Sequence, residues 1–114
     1  MNDQPYVNVI HACNACIDSC NSVITSILKR RDIAKRFEYI RQLRDCIDTC
    51  MFTLAIVTRQ SPYIKEACHV CAQICATSAQ LCRKLGDEAA ESCSRSCEEV
   101  AQACYLITNP PSTA

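Results

Sequence analysis

Apolar residues recur at intervals of three, four and seven along most of the chain, the pattern of helices that bury one face. Cysteine fills many of these positions, and in each of four segments the successive cysteines are also three, four or seven residues apart. Because such intervals bring side chains to one side of an α-helix, each segment should turn its cysteines inward. Hydrophobes such as Val9, Val23 and Ile27 continue the same stripes. The pattern predicts a single buried seam shared by hydrophobes and thiols.

Capping and turn residues divide the chain into four helices. Asp32 suits a helix N-cap, Ser61 and Pro62 suit an N-cap and a first turn, and Gly86, the only glycine, suits a helix C-terminus. Connections of about two to four residues force neighbouring helices to be antiparallel. The sequence predicts an all-α fold, an antiparallel up-down-up-down four-helix bundle with a cysteine-lined core, forming one domain over residues 1–114. The expected helices span about residues 5–30, 32–59, 62–85 and 87–108, and residues 109–114 form a frayed tail.

Composition narrows the functional classes. The 12 Lys and Arg residues balance 12 Asp and Glu residues, which disfavours a nucleic-acid-binding protein. The chain contains no apolar run long enough to span a membrane, and residues 1–6 lack the features of a secretory signal. We therefore expect a cytoplasmic protein with no membrane partner. In a reducing cytosol, 12 cysteines in 114 residues indicate metal binding or thiol chemistry rather than structural disulfides.

A repeat suggests how the bundle is built. Residues 12–20 and 67–75 both read Ala-Cys-x-x-Cys-x-x-x-Cys, and the pair Cys46 and Cys50 echoes the pair Cys93 and Cys97. Each half of the chain is then one helical hairpin, and the two hairpins are related by a pseudo-two-fold axis.

Antiparallel threading orders the thiols along the bundle axis. At about 1.5 Å of rise per residue, Cys68 and Cys104 lie highest and Cys82 lowest, so the twelve thiols form a continuous column. Below them, hydrophobes including Val23, Ile27 and Phe37 should form an apolar plug. At the other end, His11, His69 and Met51 fall at the height of Cys68, which predicts an entrance lined by soft and borderline metal ligands.

Charge balance discriminates between the metals that thiolates select. Zn²⁺ prefers four ligands, so three Zn²⁺ ions on twelve thiolates leave about six uncompensated negative charges in a seam without Lys or Arg. Cu(I) carries one positive charge, and bridging thiolates allow about one ion per thiolate in a nearly neutral cluster. The residues favour multiple Cu(I) ions per chain.

A short chain that forms a four-helix bundle with repeated inward cysteines resembles the bacterial copper storage proteins, specifically their cytosolic branch. The resemblance covers about residues 5–108 and implies copper homeostasis without catalysis, by a homotetramer that stores Cu(I) loaded from one end of each bundle. It implies that His11, His69 and Met51 act as metal ligands near the entrance, beside the core cysteines. Those cysteines are Cys13, Cys16, Cys20, Cys46, Cys50, Cys68, Cys71, Cys75, Cys82, Cys93, Cys97 and Cys104.

Other interpretations stay open at the level of sequence. A thiol redox or disulfide-handling protein could use the same cysteines reversibly, and a structural zinc-binding bundle would unfold on chelation. His11 and His69 are about as typical of a solvated surface as of a metal site, and Met51 is more typical of core packing. The copper interpretation requires instead a copper-free protein that is already folded, with Cu(I) delivered by a carrier and passed inward by ligand exchange.

Overall fold

The structure, a computed structural model, describes residues 3–111. Within that range the four helices are α1 (Gln4–Leu28), α2 (Phe37–Thr58), α3 (Ile64–Leu85) and α4 (Glu88–Thr108), and no strand occurs. Each helix packs against two neighbours, in the cyclic order α1, α2, α3, α4. The predicted all-α four-helix bundle is confirmed. Of the tail predicted at residues 109–114, residues 112–114 lie outside the described part of the chain.

Helix α2 begins later than the sequence predicted. A single turn of 3-10 helix, Ile33–Arg36, precedes it, and Asp32 makes no side-chain capping bond. The Asp32 carboxylate instead accepts hydrogen bonds from Nε of Arg30 at 2.9 Å and Nε of Arg36 at 3.2 Å. These arginines, Arg30 most strongly, lower the pKa of Asp32. The carboxylate is engaged by guanidinium groups, and so it does not cap the backbone amides.

The other helix boundaries follow local rules closely. Helix α3 begins at Ile64 rather than residue 62, because Ser61 Oγ accepts from the Tyr63 amide at 3.2 Å and closes a turn before the helix. Gly86 ends α3 in the left-handed conformation, with a φ of 75°, which suits a residue without a Cβ. Asp87 then caps α4, its Oδ1 accepting from the Ala90 amide at 2.8 Å.

Cysteine dominates the core. Twelve of the 25 buried apolar residues in the described chain are cysteines, and every one of the twelve is a free thiol with at most 1% exposure. The predicted inward orientation of the thiols is therefore observed. The buried polar residues are Thr53, Ser78 and Ser94, and no charged residue is buried among residues 3–111.

Apolar side chains close both ends of the thiol column. Val23, Ile27 and Leu85 are buried at the end near the 3-10 turn, whereas Phe37, which we expected beside them, is 57% exposed. At the opposite end, Val57 and Ile107 are buried beyond the last cysteines. Buried hydrophobes, not an open mouth, thus lie over each end of the column. None of the described helices is long and apolar enough to cross a bilayer.

Replacing Asp87 with alanine should lower the free energy of unfolding by about 1 kcal/mol, since the substitution removes the N-cap of α4. Urea denaturation followed by circular dichroism measures the change. Glu88→Ala, one residue further and without a capping bond, is the matched control and should unfold close to the wild-type midpoint. Equal midpoints for both variants would show that the cap contributes nothing.

Candidate metal centre

The centre of the thiol column is a group of cysteines supplied by all four helices. Cys16 Sγ on α1 lies 3.6 Å from Cys97 Sγ on α4 and 3.8 Å from Cys46 Sγ on α2, and Cys46 Sγ lies 3.7 Å from Cys75 Sγ on α3. Each of these cysteines faces the bundle axis because it lies on the inward stripe of its helix. The antiparallel register of the helices brings the four to the same height. Four sequence-distant thiols therefore meet at one height.

Neighbouring thiols extend the group in both directions. Toward the 3-10 turn, Cys20 Sγ lies 3.7 Å from Cys93 Sγ, and interaction with Cys93 raises the pKa of the neighbouring Cys82. Toward the opposite end, Cys50 Sγ lies 3.8 Å from Cys75 Sγ. Cys13 and Cys71 gather around Cys50. Beyond them, interaction with Cys68 and Cys71 raises the pKa of Cys104. The order matches the one predicted from helical rise, with Cys82 at one end and Cys68 and Cys104 at the other.

Three sets of thiols are close enough to share an ion, since within each set all the sulfur atoms lie within 4.8 Å of one another. Cys16 and Cys46 belong to two of these sets, and Cys50 also belongs to two. The sets are Cys16, Cys20, Cys46 and Cys97; Cys16, Cys46, Cys50 and Cys75; and Cys13, Cys50 and Cys71. Overlap of this kind allows a single thiolate to bridge two ions.

The sulfur separations fit metal coordination with little rearrangement. Thiolates held about 2.3 Å from a common ion lie roughly 3.8–4.0 Å apart in tetrahedral or trigonal geometry. The nearest Sγ pairs in the column are 3.6–4.0 Å apart. The four helices therefore hold the thiols at coordinating separations before any ion is bound.

The pKa values of the thiols differ along the column. Hydrogen bonding of the Cys20 S–H to Cys16 and the neighbouring sulfurs, together with burial, raises the pKa of Cys20. The hydrogen bond to Cys93, together with burial, raises the pKa of Cys82. At the other end, the pKa of Cys68 is lowered because its sulfur accepts a hydrogen bond from Cys104, whose own pKa the same bond raises. Thiols such as Cys20 and Cys82 stay protonated and neutral in the metal-free core.

The structure does not bring the two histidines and Met51 to the thiols. His11 and His69 are exposed, and Met51 is 55% exposed. His69 lines an outer groove between α3 and α4, beside Tyr105. Within the described residues, the groups of side chains close enough to hold an ion consist of cysteines alone. The three exposed side chains therefore lie outside the thiol column.

Thr53 is a core residue that the sequence analysis did not single out. Its side chain is 0% exposed, and its Oγ1 has no hydrogen-bond partner among the described residues. An unsatisfied buried hydroxyl costs about 1–3 kcal/mol. The signal was present in the spacing, since Thr53 follows Cys50 by three residues and occupies the next inward position of α2. The Ser78 hydroxyl, by contrast, has hydrogen-bond partners: its Oγ accepts from the side-chain Nε2 of Gln42 at 3.0 Å and donates to the Ile74 backbone carbonyl.

Comparisons with known proteins agree with this geometry. Over 75 residues, 66% of this chain and 69% of its relative, the sequence is 33% identical to YhjQ, an uncharacterized cysteine-rich protein of Bacillus subtilis strain 168. The solved structure of apo copper storage protein 3 from Bacillus subtilis superposes with a TM-score of 0.81 at 29% identity, over 88% of this chain and 95% of that one.

A cytosolic copper storage protein from Streptomyces lividans, solved with five coppers, has the same fold, with a TM-score of 0.88 at 23% identity over 96% of both chains. A model of the family described as "Copper storage protein" matches residues 2–109. With twelve free thiols aligned along the axis of a four-helix bundle and a family match over nearly its whole length, this chain belongs to the copper storage protein family.

Proposed function

We propose that this protein binds and stores several Cu(I) ions inside its helical bundle, with the twelve buried cysteines as ligands. The observation that carries the proposal is the run of overlapping thiol groups at coordinating separations, in a core without a buried charge among residues 3–111. Storage needs binding and release only, so the proposal contains no catalytic step.

The charge of the core favours Cu(I) over Zn²⁺. Without a buried Lys or Arg in the described core, excess thiolate charge has nothing to offset it. Cu(I) ions bridged by shared thiolates such as Cys16 and Cys46 bring about one positive charge for each thiol proton displaced. The family relationship supports the same choice.

Copper enters, in this proposal, at the end of the bundle that holds Cys68 and Cys104. His11, His69 and Met51 contact the arriving ion there from the outside, since all three side chains are exposed. A carrier supplies Cu(I), and thiol exchange then passes the ion inward. Val57 and Ile107, which cover this end, must move aside for the first transfer. A reducing compartment such as the cytosol keeps the thiols free for this exchange.

The outer surface supports self-association as a further part of the proposal. Phe52, Tyr63 and Val70 are 55%, 62% and 47% exposed and line a single groove between α2 and α3, with Met51 exposed nearby. Exposed apolar side chains in one patch are typical of an interface. We infer a homo-oligomer built through this face, in line with the tetramer that the resemblance implies.

Titration of the reduced protein with Cu(I) under anaerobic conditions, against a chromogenic chelator, tests the function. We expect saturation at about ten to twelve Cu(I) per chain, with helicity by circular dichroism unchanged from the copper-free state. Saturation at one or two ions, loss of fold on chelation, or defined disulfides with retained function would contradict storage.

Two serine variants sharpen this titration. Cys16→Ser removes a thiol that belongs to two coordinating sets, whereas Cys82→Ser removes one from the end of the column. Cys16→Ser should lose about two to three Cu(I) and Cys82→Ser about one, because a bridging thiolate serves more than one ion. Equal losses in the two folded variants would mean that the thiolates do not bridge.

Cu(I) affinity should rise with pH. Cys20 and Cys82 have raised pKa values and keep their protons at neutral pH, so each ion bound to them must displace protons. Fewer protons compete as the pH increases, and the apparent affinity should rise by up to about tenfold per pH unit for each proton displaced. Competition titrations at about pH 6 and pH 8, with helicity as the control, measure the slope. An affinity independent of pH would show that the thiols already lack protons.

Phe52→Glu should shift the protein toward the monomer, because the substitution places a charge in the apolar groove. Size-exclusion chromatography with light scattering gives the mass directly. Thr25→Glu, which adds the same charge at an exposed position of α1, should leave the mass unchanged. A wild-type monomer, or an unaltered Phe52→Glu oligomer, would exclude this face as the interface.

A further inference from the structure

The unsatisfied hydroxyl of Thr53 lies on the line of the thiol column. Several hydroxyls in these helices donate to a backbone carbonyl of the preceding turn, among them Thr49 to Asp45 at 2.7 Å and Thr77 to Gln73 at 3.2 Å. Thr53 makes no such bond, although it is fully buried and helical on both sides. Its hydroxyl therefore faces a core that offers it no acceptor in the metal-free protein.

The register of the helices shows which residues lie at the same height as Thr53. Between α2 and α3, Cys46 Sγ lies 3.7 Å from Cys75 Sγ, and Cys50 lies between Cys75, at 3.8 Å, and Cys71. The next inward position of α2, Thr53, therefore falls between Cys71 and Cys68, with Cys68 the thiol on its outer side. Between α1 and α4, the pairs Cys20–Cys93 and Cys16–Cys97 extend in the same way to Val9 and Cys104. Thr53 thus shares a layer with two cysteines and a valine.

Binding of Cu(I) changes the hydrogen-bond acceptors in this layer, which are the sulfur atoms of Cys68 and Cys104. Cys68 and Cys104 are neighbouring thiols whose interaction lowers the pKa of Cys68 and raises that of Cys104. When Cu(I) binds, the S–H bonds break, copper–sulfur bonds form and the protons leave to solvent, with no change in oxidation state. Each sulfur that has lost its proton is then a charged and stronger hydrogen-bond acceptor than the thiol it replaces.

We propose that Thr53 is a positioning residue for the copper ion at this end of the column, its hydroxyl donating a hydrogen bond to the Cys68 thiolate once Cu(I) has displaced the thiol proton. The hydroxyl is not itself a ligand, because Cu(I) is a soft ion and prefers sulfur to a neutral oxygen. The metal-free protein bears an unsatisfied group, and copper satisfies it. Thr53 therefore favours the loaded state, an inference that rests on the proposed storage of Cu(I).

Thr53→Val, which keeps the shape and removes the hydroxyl, tests the role. The metal-free variant should melt at the wild-type temperature or above it, and its copper capacity should be unchanged. Transfer of Cu(I) from the loaded variant to a competing chelator should be about three to ten times faster than from wild type for the ion at this end. Loss of packing alone would lower the melting temperature of the metal-free protein, so the two explanations separate.

Three further variants complete the test. Thr53→Ser keeps the hydroxyl and should release copper at nearly the wild-type rate, and Thr49→Val, whose hydroxyl bonds the backbone, should have no effect. In a Cys68→Ser background, Thr53→Val should cause no additional acceleration, since the acceptor is absent.

The inference about Thr53 would be overturned if Thr53→Val released copper at the wild-type rate or if Thr53→Ser released it fast. It would also be overturned if Thr53→Val accelerated release as much in the Cys68→Ser background as in the wild type. These outcomes leave copper storage intact. The proposed function itself fails only if the wild-type protein does not take up Cu(I).

Discussion

The structure depends on one constraint: a buried thiol must be either protonated or bound to a metal. Twelve cysteines lie in a core without a buried cation among the described residues, so ionised sulfur there has no partner in the metal-free protein. Neutral thiols, by contrast, pack as small hydrophobes. The same side chains can therefore serve as core residues when protonated and as ligands when a cation arrives, and the fold need not change between the two states.

The duplicated hairpin gives this core its symmetry. Exchange of α1 with α3 and of α2 with α4 converts the pair Cys20–Cys93 into the pair Cys75–Cys46, and both pairs are 3.7 Å apart. The symmetry is broken where the repeats differ: Cys104 corresponds to Val57, and Cys82 to Ile27. The extra thiols of the second hairpin, Cys82 and Cys104, extend the column at its two ends, whereas the shared cysteines, apart from Cys68 beside Cys104, form its middle.

Much of the fold and of the thiol column could be predicted from the sequence, because both depend on periodicity. Intervals of three, four and seven fix the inward face, and antiparallel helices of known rise fix the heights. Whether His11, His69 and Met51 reach the thiols depends instead on their direction around each helix, which height alone does not give. His11 precedes Cys13 by two positions, a rotation of about 200°, so an inward Cys13 requires an outward His11. The start of α2 could not be predicted because side chains compete for Asp32. The sequence alone does not show that Arg30 and Arg36, rather than the backbone amides, engage its carboxylate.

The overlap of coordinating sets also determines the order of exchange. An ion held by Cys16 and Cys46 is flanked by thiols on both sides, and hydrophobes close the column beyond them. Under the storage proposed above, such an ion leaves only through positions that its neighbours occupy, so the last ion to enter at the Cys68 end is the first to go. A cell that draws on such a store meets a graded supply, in which a rapidly exchanging fraction responds to demand and a slow central fraction persists after the demand has passed.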